Sequence, residues 1–273
     1  MRTKLINRKS RFSLLLTAAI AVAIVLTLNA CGGDDGGGDQ TLSSSGGATQ
    51  NLSSSSARSS SSRHIEMSSF EYDGITYETV KIGNQTWLAG NLKINVDGSR
   101  CYGDDPVNCI ELGRLYDWAT AMKLPKGSPN CNILSCSDQI GEKHQGICPP
   151  EWHIPSEDDW KKLIDYVGKE EDCNGSICAG KYLKSDRSWV YEGTPVNGTN
   201  SYGFFALPGG YGSDGEFYSA GILGHWWSST EWSYNDVPYF RLYSYEQKAG
   251  MSSGDPSGKS NKLRLHSVRC VKN

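Results

Sequence analysis

Trp152-His-Ile-Pro-Ser-Glu-Asp-Asp-Trp160 is the stretch from which the fold of this chain is read. Ser156 is a natural helix N-cap, and Asp159 stands three residues on, where a capping-box acid reaches back to the cap. Glu157, Asp158 and Asp159 put negative charge at the positive end of the helix dipole. Trp160, Leu163, Ile164 and Val167 follow at helical spacing, and Gly168 suits a C-terminal cap. The spacing therefore predicts a helix from Ser156 to about Val167 with one buried stripe.

On either side of this helix the pattern differs. Upstream, Phe70 to Trp87 reads as two hairpin-connected strands, with Tyr77, Thr79 and Lys81 alternating against Glu78 and Val80. Gly83-Asn84 supplies their turn. Leu115, Trp118, Ala119 and Met122 recur at helical spacing, and Pro125 stops that helix. A shorter helix is expected around Ala179–Ser185. Beyond Gly203 the chain reads as short strands: Phe204–Leu207, Glu216–Ser219, Gly224–Ser229, Tyr239–Ser244 and Ser267–Val271, with Asp214-Gly215-Glu216 as a hairpin turn. Helices in the first half and short antiparallel strands in the second give an α+β domain over residues 70–273.

The rest of the chain concerns location. Arg2, Lys4, Arg8, Lys9 and Arg11 precede an apolar run, Leu14 to Leu28, too short to span a bilayer comfortably. Residues 1–30 read as a signal peptide. Leu28-Asn-Ala-Cys31 resembles the lipobox of bacterial lipoproteins, which makes Cys31 the lipidated new N-terminus; ordinary cleavage nearby is the alternative. Gly32 after that cysteine favours delivery to the outer membrane, with the domain facing either the periplasm or the cell surface. From Cys31 to about residue 69 the chain is rich in Gly and Ser and cannot bury a core. About 30 such residues have an r.m.s. span on the order of 30 Å, enough for a flexible tether.

Charge narrows the partners. Five of the 27 Lys+Arg and none of the 30 Asp+Glu fall in residues 1–30, so the chain from Cys31 carries 22 against 30, a formal charge of −8. That balance argues against nucleic acid and against electrostatic docking on anionic lipid. The expected membrane contact is the lipid anchor itself.

With Cys31 set aside, eight of the nine cysteines remain, an even number that reads as a disulfide framework in an exported chain. Spacing arbitrates among about a hundred possible pairings. Cys131/Cys136, Cys173/Cys178 and Cys101/Cys109 each bracket a short polar loop. Cys148 is then left for Cys270. Zinc is the rival reading, but no Cys-x-x-Cys occurs and the five histidines are scattered.

Several segments resemble a known family. Lys81-Ile-Gly-Asn-Gln-Thr-Trp-Leu-Ala-Gly-Asn-Leu92, Gly146 to Ser156, Ala206-Leu-Pro-Gly-Gly-Tyr211, Trp226-Trp-Ser-Ser-Thr-Glu231 and Ser267-Val-Arg-Cys-Val-Lys272 together look like the Fibrobacter succinogenes major paralogous domain. The resemblance covers nearly all of 70–272 and implies an exported, lipid-anchored bacterial protein. Trp152 to Trp160 also resembles the helix opening of formylglycine-generating domains, which implies a C-type-lectin-like fold stapled by disulfides. That fold carries no function by itself.

Candidate contacts follow from the aromatic content of the second half. Period-2 alternation along Trp226-Trp227 leaves one indole, taken as Trp227, free to face outward as a sugar platform. Trp232, Tyr234 and Tyr239 join it as ligand contacts on a loop and strand start. Asn235-Asp236 resembles half of the Trp-Asn-Asp of calcium-dependent lectins, without an upstream partner motif; calcium is the one cofactor considered, and otherwise none is expected. No nucleophile elbow, metalloprotease helix or phosphate loop is present, so the chain is read as non-enzymatic. The expectation is a surface-tethered recognition domain for polysaccharide or cell-surface ligands. The alternatives are a structural envelope protein with protein partners, or a cysteine-dependent enzyme of the formylglycine-generating kind.

Overall fold

The first strand begins at Met67 and the last ends at Lys272, in a computed structural model that describes residues 64–124, 131–170, 172–254 and 261–273. The expected signal peptide, Cys31, all but the end of the tether, and Pro125 lie outside the described residues. Among the described residues no helix is long and apolar enough to cross a membrane.

The chain opens with β1 (Met67–Tyr72), β2 (Ile75–Ile82) and β3 (Gln85–Leu88), then α1 (Pro106–Leu112), β4 (Leu115–Tyr116), α2 (Trp118–Ala121) and β5 (Trp152–His153). Helices α3 (Glu157–Val167) and α4 (Ser176–Leu183) follow, then two hairpins, β6 (Val190–Tyr191) with β7 (Thr194–Pro195) and β8 (Tyr211–Ser213) with β9 (Glu216–Tyr218). The chain closes through β10 (Leu223–Trp227), β11 (Tyr239–Tyr243), β12 (Ala249–Ser252), β13 (His266–Ser267) and β14 (Val271–Lys272). Two five-stranded sheets result, ordered β1-β2-β3-β14-β5 and β12-β11-β10-β13-β4. Pairing is antiparallel except between β10 and β13.

Helix α3 has the predicted chemistry. Ser156 Oγ accepts from the Asp159 N–H, and the Asp159 carboxylate accepts from the Ser156 N–H at 3.0 Å. Trp160, Leu163, Ile164 and Val167 are buried. Gly168 caps the helix for a different reason than expected. Its φ is −68°, open to any residue, but a Cβ there would meet the Gly175 backbone at 2.9 Å.

Other expectations need correction. Phe70–Trp87 forms three strands, because Asp73-Gly74, at φ 53° and 69°, makes a hairpin turn of its own. Leu115 lies in β4 and not in a helix; Asp117 caps α2 by accepting the Thr120 N–H. Phe204–Leu207 contributes a single bridge, Ala206 to Lys184, and Ser267–Val271 divides into β13 and β14, one in each large sheet.

The four disulfides join the pairs that spacing selects: Cys101–Cys109, Cys131–Cys136, Cys148–Cys270 and Cys173–Cys178. All but Cys101–Cys109 lie in or against one of two hydrophobic cores. One holds Val80, Trp87, Trp160, Trp226 and Phe240 against α3 and α4; the other holds Tyr77, Tyr116, Trp118, Trp227 and the Cys148–Cys270 bridge. Strand β10 lies between them, so Trp226 enters the first core and Trp227 the second. Alternation sends the two indoles to opposite faces, but both faces are covered.

Candidate functional site

Immediately after β10 the chain leaves the sheet in a loop, residues 228–236, held by several hydrogen bonds. The Ser229 N–H donates to the Pro155 carbonyl, and Thr230 Oγ1 accepts from the Glu157 N–H at 3.0 Å. These bonds hold the loop against the start of α3. The Trp232 and Ser233 N–H groups both donate to the Asp236 carbonyl, closing a tight turn.

Beneath the turn lies a buried ion pair. Lys262 Nζ stands 2.6 Å from Glu231 Oε1, with side-chain exposures of 0% and 3%. The ammonium also donates to the Leu134 carbonyl at 3.0 Å and sits 4.6 Å from the centre of the Trp118 ring. The other carboxylate oxygen of Glu231 accepts from the Cys136 N–H. The pair thus joins the loop, the Cys131–Cys136 disulfide loop and residues 261–263, with every polar atom engaged as burial requires.

On this base Trp232 is 51% exposed and Tyr234 59%. Trp232 Nε1 donates to Glu157 Oε2 at 2.8 Å, which fixes the indole at the first turn of α3 and leaves much of it to solvent. Beside it opens a polar cleft of about 380 Å³ whose lining includes Lys143, His153, Asp158, Asp159, Lys162 and Thr230. His153 is buried there between Asp159 Oδ2, 3.3 Å from Nε2, and Asn273 Oδ1, 2.8 Å from Nδ1. Burial pushes the Asp159 carboxyl up, but hydrogen bonds from His153 and Ser156 outweigh it and hold the group at about 2.

The structure thus brings Trp232 and Tyr234 together at the surface and corrects the other two aromatic candidates. Trp227 is fully buried, its Nε1 donating to the Tyr116 carbonyl at 2.7 Å and its ring stacked 4.1 Å from His266. Tyr239, 6% exposed, packs in the same core. Neither has a face to offer a ligand, because the second core, with Tyr116, Trp118 and Val268, fills the side of the sheet that alternation left open.

Asn235 and Asp236 are engaged inside the turn. Asp236 Oδ1 accepts from the Gly254 N–H and the Asn261 amide, and Asn235 Oδ1 accepts from the Ser233 hydroxyl. Among the described residues no group of three or more His, Cys, Asp or Glu is placed to hold a metal ion. Calcium needs about six to eight oxygens, and Asn235 Oδ1 and Asp236 Oδ1 already accept bonds that hold the turn.

Sequence reasoning missed Lys262 and Glu231, since partners 31 residues apart leave no local spacing signal. It also missed Arg269, fully buried, whose guanidinium donates to the Leu88, Phe204 and Phe205 carbonyls and to Asn91 Oδ1. Burial lowers that guanidinium to about 9, and carbonyl dipoles take the place of a counter-ion.

A family model described as the Fibrobacter succinogenes major domain matches residues 80–272. No curated protein and no solved structure matches the chain.

Proposed function

The chain belongs to the Fibrobacter succinogenes major domain family, and from that premise we propose a non-enzymatic recognition domain of C-type-lectin-like fold that binds polysaccharide through the 228–236 loop. Lipid on Cys31 would hold it at the outer membrane, and the Gly/Ser tether would give the domain its reach at the cell surface. The observation that carries the reading is Trp232, an indole half exposed to solvent yet fixed by Glu157 over a buried ion pair. A rigid aromatic face stacks on a sugar ring at little entropic cost, and the adjoining polar cleft supplies donors and acceptors for hydroxyls.

The test is retention of the exported protein on a glycan array and on insoluble polysaccharides, with and without calcium. The reading expects retention that calcium leaves unchanged and that Trp232→Ala weakens by about tenfold, the order of one lost aromatic contact. No retention on any glycan, or full retention by the Trp232 variant, refutes it.

A further inference from the structure

The chain contains two Asn-Gly pairs, Asn174-Gly175 and Asn197-Gly198, and both asparagines are exposed. In such a pair the backbone nitrogen of the glycine can attack the asparagine Cγ, and the glycine has no Cβ to hinder the approach. Ring closure sets two geometric conditions. The glycine N–H must be free of other partners, and the asparagine side chain must be free to turn toward it. Residue order treats the two pairs as equals.

The structure separates them. Asn197 Oδ1 accepts from the Trp189 N–H at 3.0 Å, and the Gly198 N–H donates to the Ser185 carbonyl at 2.9 Å. Gly198 also lies hard against the end of α4, where a Cβ would meet the Lys184 and Lys181 carbonyl oxygens, the latter at 2.7 Å. Both conditions fail at this pair. Asn174-Gly175 lies inside the Cys173–Cys178 disulfide loop, just ahead of α4. Among the described residues neither the Asn174 side chain nor the Gly175 N–H makes a hydrogen bond, and a Cβ on Gly175 would have nothing within 4 Å of it. Gly175 holds φ 62°, a region that glycine enters without steric cost. The disulfide closes the loop and leaves the reacting atoms in the open.

We propose that Asn174 is a site of spontaneous deamidation in the folded protein, and that the fold protects Asn197 from the same reaction. The Gly175 nitrogen gives up its proton to solvent base and attacks Asn174 Cγ. The new C–N bond closes a succinimide ring as the Cγ–Nδ2 bond breaks and ammonia leaves. Water then opens the ring at either carbonyl, to aspartate or to isoaspartate. One water is consumed and one ammonia released, with no oxidant, reductant or cofactor. Either product places a new carboxylate two residues from Asp172, whose own charge is already engaged by Lys181 and Tyr182. It also stands just ahead of the α4 N-terminus, where the helix dipole favours negative charge. The isoaspartyl form routes the backbone through Cγ, adding a methylene inside the disulfide loop. It also converts the carbonyl that accepts from the Ile177 N–H into a free carboxylate. The reaction uses no residue of the 228–236 loop, so it stands apart from ligand binding.

The test is peptide mapping by mass spectrometry of the full protein, disulfides intact, held folded at mildly alkaline pH, with isoaspartate counted by enzymatic methylation. Asn174 is expected to convert at least about tenfold faster than Asn197, the order set by two hydrogen bonds that must open at the second pair. The same protein, reduced and denatured, is expected to convert both pairs at similar rates, since unfolding removes the bonds that distinguish them. Asn174→Gln is expected to abolish the fast-forming product. A ratio of rates in the folded protein no greater than that in the denatured chain overturns the proposal, because flanking residues and not the fold would then set it. Absence of conversion at Asn174 in the folded protein while the denatured chain reacts overturns it, as does a fast product that survives Asn174→Gln.

Discussion

Replacing Lys262 by Met should destabilise the domain by about 3–5 kcal/mol, the range for breaking a buried ion pair from one side. The structure sets the terms of that figure. Both side chains are within 3% of complete burial, so solvent screening takes little from the effect. Removing the ammonium leaves the Glu231 carboxylate with the Cys136 N–H as its remaining donor and orphans the Leu134 carbonyl. An orphaned buried acceptor alone accounts for about 1–3 kcal/mol. In a domain of this size each kcal/mol shifts the melting temperature by about 2–4 °C, so calorimetry should read a fall of roughly 6–20 °C. Glu231→Gln should lose less, since a neutral amide still accepts from Lys262. The double variant Glu231→Gln/Lys262→Met should be more stable than the sum of the single losses implies, because it leaves no buried carboxylate unpaired. A Lys262→Met loss below about 1 kcal/mol, or strict additivity in the cycle, would refute the reasoning.

Two further expectations concern acid and the long disulfide. His225 and His266 are buried with no hydrogen-bond partner on any ring nitrogen among the described residues, their rings 5.1 Å apart. Burial, with Arg264 and Arg241 nearby, lowers His225 to about 3, and burial with His225 and Arg264 lowers His266. Between an unfolded-state pKa of about 6.5 and the folded values the unfolded chain binds protons that the native one refuses. Stability from these groups is therefore full above about pH 6.5 and falls as pH drops, by up to about 1.4 kcal/mol per unit for each histidine. Thermal melts from about pH 7 to 4 check this, and His225→Phe should flatten the slope; a flat wild-type profile would count against it. Cys148→Ser/Cys270→Ser opens a closure spanning 122 residues and should lower stability by roughly 4–5 kcal/mol in denaturant titrations, more than loss of Cys101–Cys109.

Much of the architecture was legible in local pattern. The α3 capping box, its buried stripe and the strands around Glu216, Trp226 and Phe240 are consequences of residue order over a few positions. What local pattern misplaced has a common cause. Leu115 keeps helical spacing with Trp118 and Met122, yet β4 takes it because its backbone pairs with Ser267 and Arg100. Strand β2 buries Tyr77 in one core and Val80 and Ile82 in the other, so its alternation reports two environments at once.

The candidate sites divide the same way. Sequence marked Trp232 and Tyr234 as aromatics on a loop, and exposure agrees. It had no means to choose Trp232 over Trp227, because alternation states that adjacent side chains diverge and not whether both faces of a sheet are covered. That choice belongs to the second core, whose residues close over Trp227 from distant parts of the chain. The Glu231–Lys262 pair has the same origin. Residue order determined the caps, the turns and the cysteine pairs that short loops bring together. Only the tertiary structure decided which aromatic rings meet solvent, since exposure depends on what packs against a residue and not on its neighbours in the chain.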